Sequence, residues 1–235
     1  MSAVPQTYQP PRTDSGRMLR AMVGIGIVCG LLIVVTYEGT LPRIERLKSA
    51  SLEQAIYAVL PGTTKKMTFY LDEEGDFIPV RGEKPDGPVV HAGYNQEHAL
   101  TGLAIEASGM GFADVLRVLY GYDPGSEAII GFHVLESKET PGLGDKIEKD
   151  AGFLANFEAL DVSLNADKTA LKHAIIPVKH GAKENPWEID GITGATISSR
   201  AIGDLMGASA AVMIPRIYQQ QEVFKLMEQE IQDNE

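Results

Sequence analysis

The chain has 235 residues, enough for one anchor segment and one globular domain that buries most of its apolar surface. Its formal net charge of -11 argues against DNA or RNA as a partner, because nucleic-acid binding relies on clustered Lys and Arg. Cys29 is the only cysteine, so the sequence predicts no disulfide and no thiolate metal site. Any redox chemistry must therefore come from a bound cofactor.

An uncharged apolar run at residues 21–37, AMVGIGIVCGLLIVVTY, predicts a single transmembrane helix. Residues 1–16 are rich in Pro, Ser, Thr and Gln and predict a short tail that does not fold. A cleaved signal peptide is the alternative, although the run is long for one and lacks a clear cleavage site. Basic residues flank the run in nearly equal numbers, so charge alone does not fix the orientation.

The segments after the anchor predict a helix and then several strands. Ser51 is expected to cap a helix that Pro61 and Gly62 end. A hairpin is predicted over residues 67–80, around an acidic turn at 72–76. Apolar runs at 100–107, 113–120 and 128–135 predict three strands, and the turn YDPG at 122–125 favours antiparallel neighbours.

The C-terminal half predicts a helix over residues 147–157, a strand at 173–178 and a long final helix from about Ser198. Pro215 is expected to kink or interrupt that helix. The predicted fold class is α+β, with one transmembrane helix, a linker helix region at 38–66, and a domain at 67–235. We expect the domain to contain a mostly antiparallel sheet flanked by helices.

The residue patterns of common catalytic and metal sites are missing from the sequence. The histidines form no i, i+4 pair with an acidic ligand pattern, so no metal site is predicted. The nucleophile-elbow, P-loop and Rossmann motifs are also missing, and no catalytic residue is predicted.

Two polar segments that contain glycine lie between apolar elements and are candidate ligand loops: ETPGLGDK at residues 139–146 and DGITGATISS at 190–199. In the second, Gly194 and Ala195 let the backbone approach a ligand closely, and the loop leads into a helix N-terminus that favours a phosphate. The alternatives are an ordinary turn in the first segment and an ordinary helix start in the second. In that case Thr193, Thr196 or Ser198 would be the N-cap residue.

The sequence TGAT at 193–196, preceded by Asp190 and Gly191, resembles the flavinylation motif of the FMN-binding domain family. The resemblance implies that a flavin transferase joins the phosphate of FMN to the hydroxyl of Thr196. The segment at 139–147 resembles a second signature of the family, which lies close to the isoalloxazine ring. The sequence departs from the family at 109–113, GMGFA, where a tyrosine- and glycine-rich turn is usual.

The cofactor-binding residues that this resemblance implies lie in the two segments. The covalent attachment point is Thr196, and the others are Glu139, Thr140, Pro141, Gly142, Leu143, Thr193, Gly194, Ala195, Ser198 and Ser199.

The family occurs in the Rnf electron-transport complex, in the sodium-pumping NADH:quinone oxidoreductase and in related respiratory proteins. The resemblance therefore implies an electron-transfer subunit of a membrane-bound, ion-translocating oxidoreductase complex, with no substrate turnover of its own. Its implied partners are the other subunits, and a flavin transferase during maturation. The DKI sequence at 145–147 favours the Rnf type. The equivalent sodium-pump subunit, a membrane-tethered flavin sensor and an acidic domain without cofactor are the alternatives.

The resemblance also supplies the orientation that the charges leave open. It implies a single-pass protein of the inner membrane, with residues 1–20 in the cytoplasm and the flavin domain on the periplasmic side.

Overall fold

The computed structural model describes residues 15–80, 82 and 87–225 of the chain. The chain forms two compact units, Met1–Ala50 and Ser51–Glu235. Helix α1 spans Ser15–Val59. Its residues up to Ala50 are the described part of the first unit, and its residues from Ser51 belong to the second. Most of the predicted unfolded tail, residues 1–14, lies outside the described residues.

Helix α1 contains a window that is long and apolar enough to cross a membrane, with a mean hydropathy of 2.5. The helix begins at Ser15, before the predicted start at residue 21, and passes through Pro42 without ending. The separate helix predicted to start at Ser51 was wrong, because good helix formers precede Ser51 and leave it no free helix end to cap. The predicted end was right, since α1 stops two residues before Pro61.

The second unit contains nine strands within the described residues, in chain order. They are β1 (Lys65–Leu71), β2 (Phe77–Pro79), β3 (Val89–Tyr94), β4 (Leu100–Met110), β5 (Val115–Asp123), β6 (Ala128–Glu136), β7 (Leu160–Asp161), β8 (Ile176–Val178) and β9 (Glu188–Asp190). The first seven form one sheet in the order β2-β1-β3-β4-β5-β6-β7, and every neighbouring pair is antiparallel. The last two strands form a small parallel sheet. The predicted antiparallel sheet is therefore confirmed.

The predicted hairpin is confirmed as β1 and β2, and the three later strands are β4, β5 and β6. The sequence analysis missed strand β3, which lies between β1 and β4 and pairs with both. All six residues of β3 are buried, so the strand lacks the alternation of apolar and polar residues that marks a half-exposed strand. The two-residue β7 and three-residue β9 are too short to leave such a pattern.

The helical elements after the sheet are short until the last one. A 3-10 turn at Gly144–Glu148, helix α2 (Ala151–Leu154) and a second 3-10 turn at Ala155–Phe157 replace the single helix predicted over 147–157. That prediction was wrong because Asp150 takes an extended conformation, and its side chain accepts a hydrogen bond from Phe153 N to cap a new turn. The predicted strand at 173–178 forms only over Ile176–Val178.

The final helix, α3, spans Thr196–Gln219 and begins two residues before the predicted start. Pro215 was expected to kink or interrupt the helix, and the interruption was wrong, because α3 continues for four residues beyond it. The kink stays a prediction. Pro215 is buried, together with Ile214 and Ile217 beside it. Packing of these side chains into the core offsets the one backbone hydrogen bond that proline removes.

The large sheet is covered on both faces. One face contributes Leu103, Ile105 and Val118 to the main core, which also contains the apolar side of α3. The opposite face presents Ala104 and Leu119 to a second cluster, formed with the apolar side chains of residues 55–60. Successive residues of β4 therefore enter different cores, which fixes the register of the sheet.

Two glycines on neighbouring strands make room for the end of α1. A Cβ on Gly121 would lie 2.1 Å from the carbonyl oxygen of Val59, and a Cβ on Gly131 would lie 2.6 Å from the same atom. The backbone of α1 thus rests directly on the β5–β6 pair at these two positions.

Candidate functional site

The structure brings the two candidate ligand loops to one cavity of about 340 Å³. This volume lies at the small end of the range of about 300–1,000 Å³ that is typical of ligand pockets. We call it the apolar cavity. Its lining residues are Phe112, Glu139, Thr140, Leu143, Gly144, Gly194, Ala195, Thr196, Ile197 and Ser198.

Glu139 forms hydrogen bonds to other segments that line the apolar cavity. Its Oε1 accepts hydrogen bonds from the backbone N–H groups of Phe112 at 2.8 Å and Ala113 at 3.1 Å. Its Oε2 accepts a hydrogen bond from the Ser198 hydroxyl at 2.6 Å. Glu139 is 6% exposed, so these three donors replace the water that a charged group would otherwise require. Glu139 therefore joins the turn before β5, the first candidate loop and the first turn of α3.

Two glycines leave space for the Glu139 carboxylate. A Cβ on Gly111 would lie 2.5 Å from Glu139 Oε1, and a Cβ on Gly144 would lie 2.4 Å from Oε2. Both distances are too short for any larger residue unless Glu139 moves. The first glycine belongs to the GMGFA turn that departs from the family pattern, and that turn nevertheless reaches the cavity through Phe112.

The loop between Glu139 and Gly144 is fixed by its own hydrogen bonds. The carbonyl oxygen of Thr140 accepts from the N–H groups of Leu143 at 3.1 Å and Gly144 at 3.0 Å. The Asp145 carboxylate accepts from Gly142 N at 2.6 Å. The Lys149 ammonium beside Asp145 holds the pKa of this carboxyl below its usual value. The loop thus presents Thr140 and Leu143 to the cavity with a defined backbone.

The N-terminus of α3 opens at the same place without a side-chain cap. Its N-cap residue is Ala195, and no side chain within the described residues accepts a hydrogen bond from the first turn as a cap. The alternative in which Thr193, Thr196 or Ser198 acts as an N-cap was therefore wrong. Gly194 makes the preceding turn with a φ of +83°, which favours glycine. The N–H groups and the dipole of this helix end favour an anion.

Three hydroxyl groups lie in the first turn of α3, and their surroundings differ. Ser198 and Ser199 are buried, at 3% and 1% exposure. Ser198 donates to Glu139, whereas Ser199 accepts from Ile192 N at 3.2 Å and donates to the carbonyl oxygen of Thr196 at 3.3 Å. Thr196 is exposed, and its hydroxyl has only a long contact of 3.5 Å with the carbonyl oxygen of Ile192. Thr196 is the one of these three that a reagent can reach.

A second recess of about 270 Å³ lies next to the apolar cavity, and Thr196 lines both. We call it the basic recess. Its charged or titratable lining residues are Lys179, His180 and Arg200, and no carboxylate of the described residues lines it. His180 Nδ1 lies 3.0 Å from the carbonyl oxygen of Gly191.

Asp190, which precedes Gly191 in the motif, holds the wall of the basic recess. Its carboxylate accepts a hydrogen bond from Gly181 N at 2.7 Å and lies 3.5 Å from His180 Nδ1. The segment after β8 and the start of the TGAT loop are thereby kept together.

The structure separates the predicted ligand residues into three groups. The apolar cavity is lined by Glu139, Thr140, Leu143, Gly194, Ala195, Thr196 and Ser198. Thr193, Thr196 and Ser199 line the basic recess. Pro141 and Gly142 line neither, because they form the exposed turn of the first loop.

The sequence analysis missed Phe112 and Ile197 in the apolar cavity and the three basic residues of the recess. Ile197 lies within the second motif and is 60% exposed, an unusual position for a large apolar side chain. Lys179 and His180 follow a predicted strand, and nothing in the local sequence marks them.

A larger groove of about 860 Å³ runs between β4 and α3. Ile197 is the one residue of the two candidate loops that lines it. Size alone therefore does not identify the site, and the apolar cavity is where the motif residues converge.

Comparison with known protein families gives a match that covers the candidate site. Residues 111–210 match the FMN-binding domain family, and they contain both candidate loops, the GMGFA turn from Gly111 onward, and most of α3. The chain is therefore similar to this family over the residues that form the candidate site.

Two curated relatives are similar over most of the chain, and both are named as a subunit of an ion-translocating oxidoreductase complex. The protein from Methanosarcina acetivorans is 28% identical over 81% of this chain and 89% of its own length. The protein from Shewanella piezotolerans is 24% identical over 78% of this chain and 85% of its own length.

Among solved structures, a subunit of the Na(+)-translocating NADH-quinone reductase from Parabacteroides distasonis has a TM-score of 0.58 with this chain. It is 17% identical, and the match covers 74% of this chain and 96% of that structure. At this identity the likeness shows a shared fold.

Proposed function

We propose that this chain is the flavin-bearing electron-transfer subunit of a membrane-bound, ion-translocating oxidoreductase complex of the Rnf type, with FMN esterified to Thr196. The relatives that share about four-fifths of the chain are subunits of such complexes. The observation that carries the proposed attachment is the Thr196 hydroxyl, which is exposed between the apolar cavity and the basic recess while Ser198 and Ser199 are buried and hydrogen-bonded.

The residues at the site fit FMN. The apolar cavity offers Phe112, Leu143 and Ile197 to an aromatic ring, and the uncapped N-terminus of α3 offers N–H groups to a phosphate. When bound, FMN supplies reversible electron transfer, and the chain sets its surroundings. Attachment by the phosphate leaves the ring without a direct covalent bond, so the neighbouring side chains tune its potential.

Ester formation at Thr196 needs an activated flavin phosphate, which a flavin dinucleotide supplies. The Thr196 Oγ1–P bond forms while the P–O bond of the dinucleotide's pyrophosphate breaks. The nucleoside monophosphate leaves, and the hydroxyl proton passes to a base of the flavin transferase. Thr196 needs no strong base within its own domain, and its exposure suits modification by a separate enzyme.

The attachment is tested by expressing the full chain with and without a flavin transferase. We expect a fluorescent band in denaturing electrophoresis only when both are present, and peptide mass mapping should place FMN on Thr196. A colourless protein under these conditions, or FMN on Ser198 or Ser199, would contradict the proposal.

The membrane topology gives a separate prediction. We propose that residues 1–20 lie in the cytoplasm and the domain after residue 37 on the periplasmic side. A protease added to intact spheroplasts should then digest the flavin domain completely. Digestion only after the inner membrane is broken would reverse the orientation, and a cytoplasmic marker protein that stays intact serves as the control.

The first loop gives a prediction on the electronic properties of the flavin. Thr140 and Leu143 line the apolar cavity, and Glu139 places a buried carboxylate in its wall. Thr140→Val and Glu139→Gln should each shift the flavin absorption spectrum or midpoint potential while the covalent band is retained. Lys172→Gln, at an exposed position that lines neither cavity, is the control. If both loop variants titrate as the wild type does, this loop does not contact the ring.

The equivalent subunit of the sodium-translocating quinone reductase is the second candidate, since a subunit of that enzyme has the same fold. Purification of the full chain from its native membrane separates the two. Subunits of an Rnf-type complex in the eluate would support the first candidate, and subunits of a quinone reductase would support the second.

A further inference from the structure

The charges around Thr196 are divided between its two sides. Among the described residues, Glu139 is the only acidic or basic one that lines the apolar cavity, and its two carboxylate oxygens already accept three hydrogen bonds. Lys179, His180 and Arg200 line the basic recess. A phosphate on Thr196 that turned into the apolar cavity would approach a buried carboxylate, whereas the recess offers groups of opposite charge.

The two cationic side chains of the recess that carry a full charge at neutral pH belong to Lys179 and Arg200. The chain as a whole is acidic, with 32 acidic and 21 basic residues. Lys138, Lys149 and Lys168 each form an ion pair with an Asp or Glu. Within residues 15–80, 82 and 87–225, neither Lys179 nor Arg200 has an ion-pair partner. Two unpaired cations therefore face one recess beside an exposed hydroxyl.

The backbone holds these groups in place. The Asp190 carboxylate accepts from Gly181 N, and His180 Nδ1 contacts the Gly191 carbonyl oxygen, so the segment at 179–181 is fixed to the loop that carries Thr196. Arg200 follows Thr196 by one turn of α3. The recess is thus built from two separate segments that the motif itself ties together.

We propose that the basic recess binds the phosphate of the flavin, with Lys179 and Arg200 supplying the positive charge and Asp190 positioning the segment at 179–181. This inference rests on the proposed attachment at Thr196. The phosphate lies in the recess both in the flavin dinucleotide that is being attacked and in the finished diester. The flavin ring, at the other end of the ribityl chain, then lies on the apolar side of Thr196.

The test uses the full chain with Lys179 and Arg200 both replaced by Gln, and Lys172→Gln as the matched control. Lys172 is an exposed lysine that lines neither cavity. We first measure the initial rate of covalent flavin incorporation by a flavin transferase. We expect the double variant to be slower by about tenfold, the ratio that corresponds to about 1.4 kcal/mol. The control should stay within about twofold, as expected for an exposed charge away from the site.

The second measurement separates phosphate binding from contact with the transferase. Each protein is incubated until fully loaded, and the ³¹P resonance of the diester is recorded in the folded and the denatured state. In the double variant the folded-state resonance should move toward the denatured-state position, while the control keeps the wild-type position. Equal thermal unfolding midpoints establish that both variants fold.

The ³¹P result decides the proposal. A double variant whose resonance stays at the wild-type position overturns it, even if incorporation is slower, because the two cations would then contact the transferase instead. A wild-type protein that carries no flavin would contradict the attachment at Thr196. A wild-type protein loaded at Thr196, together with an unchanged double variant, would contradict only the role of the recess.

Discussion

Thr196→Ala should abolish covalent flavin completely, because within the described part of the chain no other exposed hydroxyl lines both the apolar cavity and the basic recess. Ser198 and Ser199 do not substitute for it, since both are buried and hydrogen-bonded. The measurement is in-gel fluorescence after expression with a flavin transferase. We expect no fluorescent band and an unchanged unfolding midpoint, because the Thr196 hydroxyl makes only a 3.5 Å contact within the domain.

Two variants control this experiment. Thr169→Ala removes an exposed hydroxyl that lines neither the apolar cavity nor the basic recess, and it should leave the band in place. Thr196→Ser should retain part of the attachment, since serine offers the same nucleophile with a less restricted side chain. A fluorescent band in Thr196→Ala would show that the attachment point has been misplaced.

Gly121→Ala should destabilise the domain by about 3 kcal/mol or more, because the added methyl group overlaps backbone atoms that cannot rotate away. A Cβ at this position would lie 2.1 Å from the carbonyl oxygen of Val59 and 3.0 Å from its carbon. Either the end of α1 must lift from β5 and β6, or the strands must separate. The expected result is a large fall in the midpoint of chemical or thermal unfolding.

Gly39→Ala is the matched control, because it adds the same methyl group to a helical position with nothing within 4 Å. Alanine is favoured over glycine in a helix by roughly 1 kcal/mol, so this variant should be neutral or slightly more stable. A Gly121→Ala protein with wild-type stability would mean that the end of α1 does not rest on the sheet as described.

The parts of the fold that the sequence predicted are those set by local chemistry. The acidic turn at 72–76 and the YDPG turn at 122–125 mark hairpins through residues that favour turns. Strand β3 was missed because burial on both sides removes the alternation that identifies a strand. The continuity of α1 was missed because Ser51 is a good N-cap residue in isolation, and only the preceding helix makes that role unnecessary.

In the candidate site, too, the residues that lie within one continuous motif were predicted, and those that long-range contacts bring in were missed. The two motifs name most of the residues that line the apolar cavity, since each motif is a continuous segment. The two motifs lie together because of Glu139. Its carboxylate accepts hydrogen bonds from Phe112 N, Ala113 N and the Ser198 hydroxyl, which belong to two distant segments. The basic recess depends likewise on the contact of the segment at 179–181 with the loop at 190–196. Long-range contacts of this kind leave no periodicity in the sequence.

The order of the large sheet has a consequence for solubility. Its outermost strands, β2 and β7, have only three and two residues, and β2 ends in Pro79, which has no N–H to donate. Lys65 and Lys66 lie on the part of β1 that extends beyond its pairing with β2. Short edges, proline and lysine each discourage a strand of another molecule from adding to a sheet. Copies of this domain crowded on one membrane surface should therefore resist aggregation through edge-to-edge strand pairing.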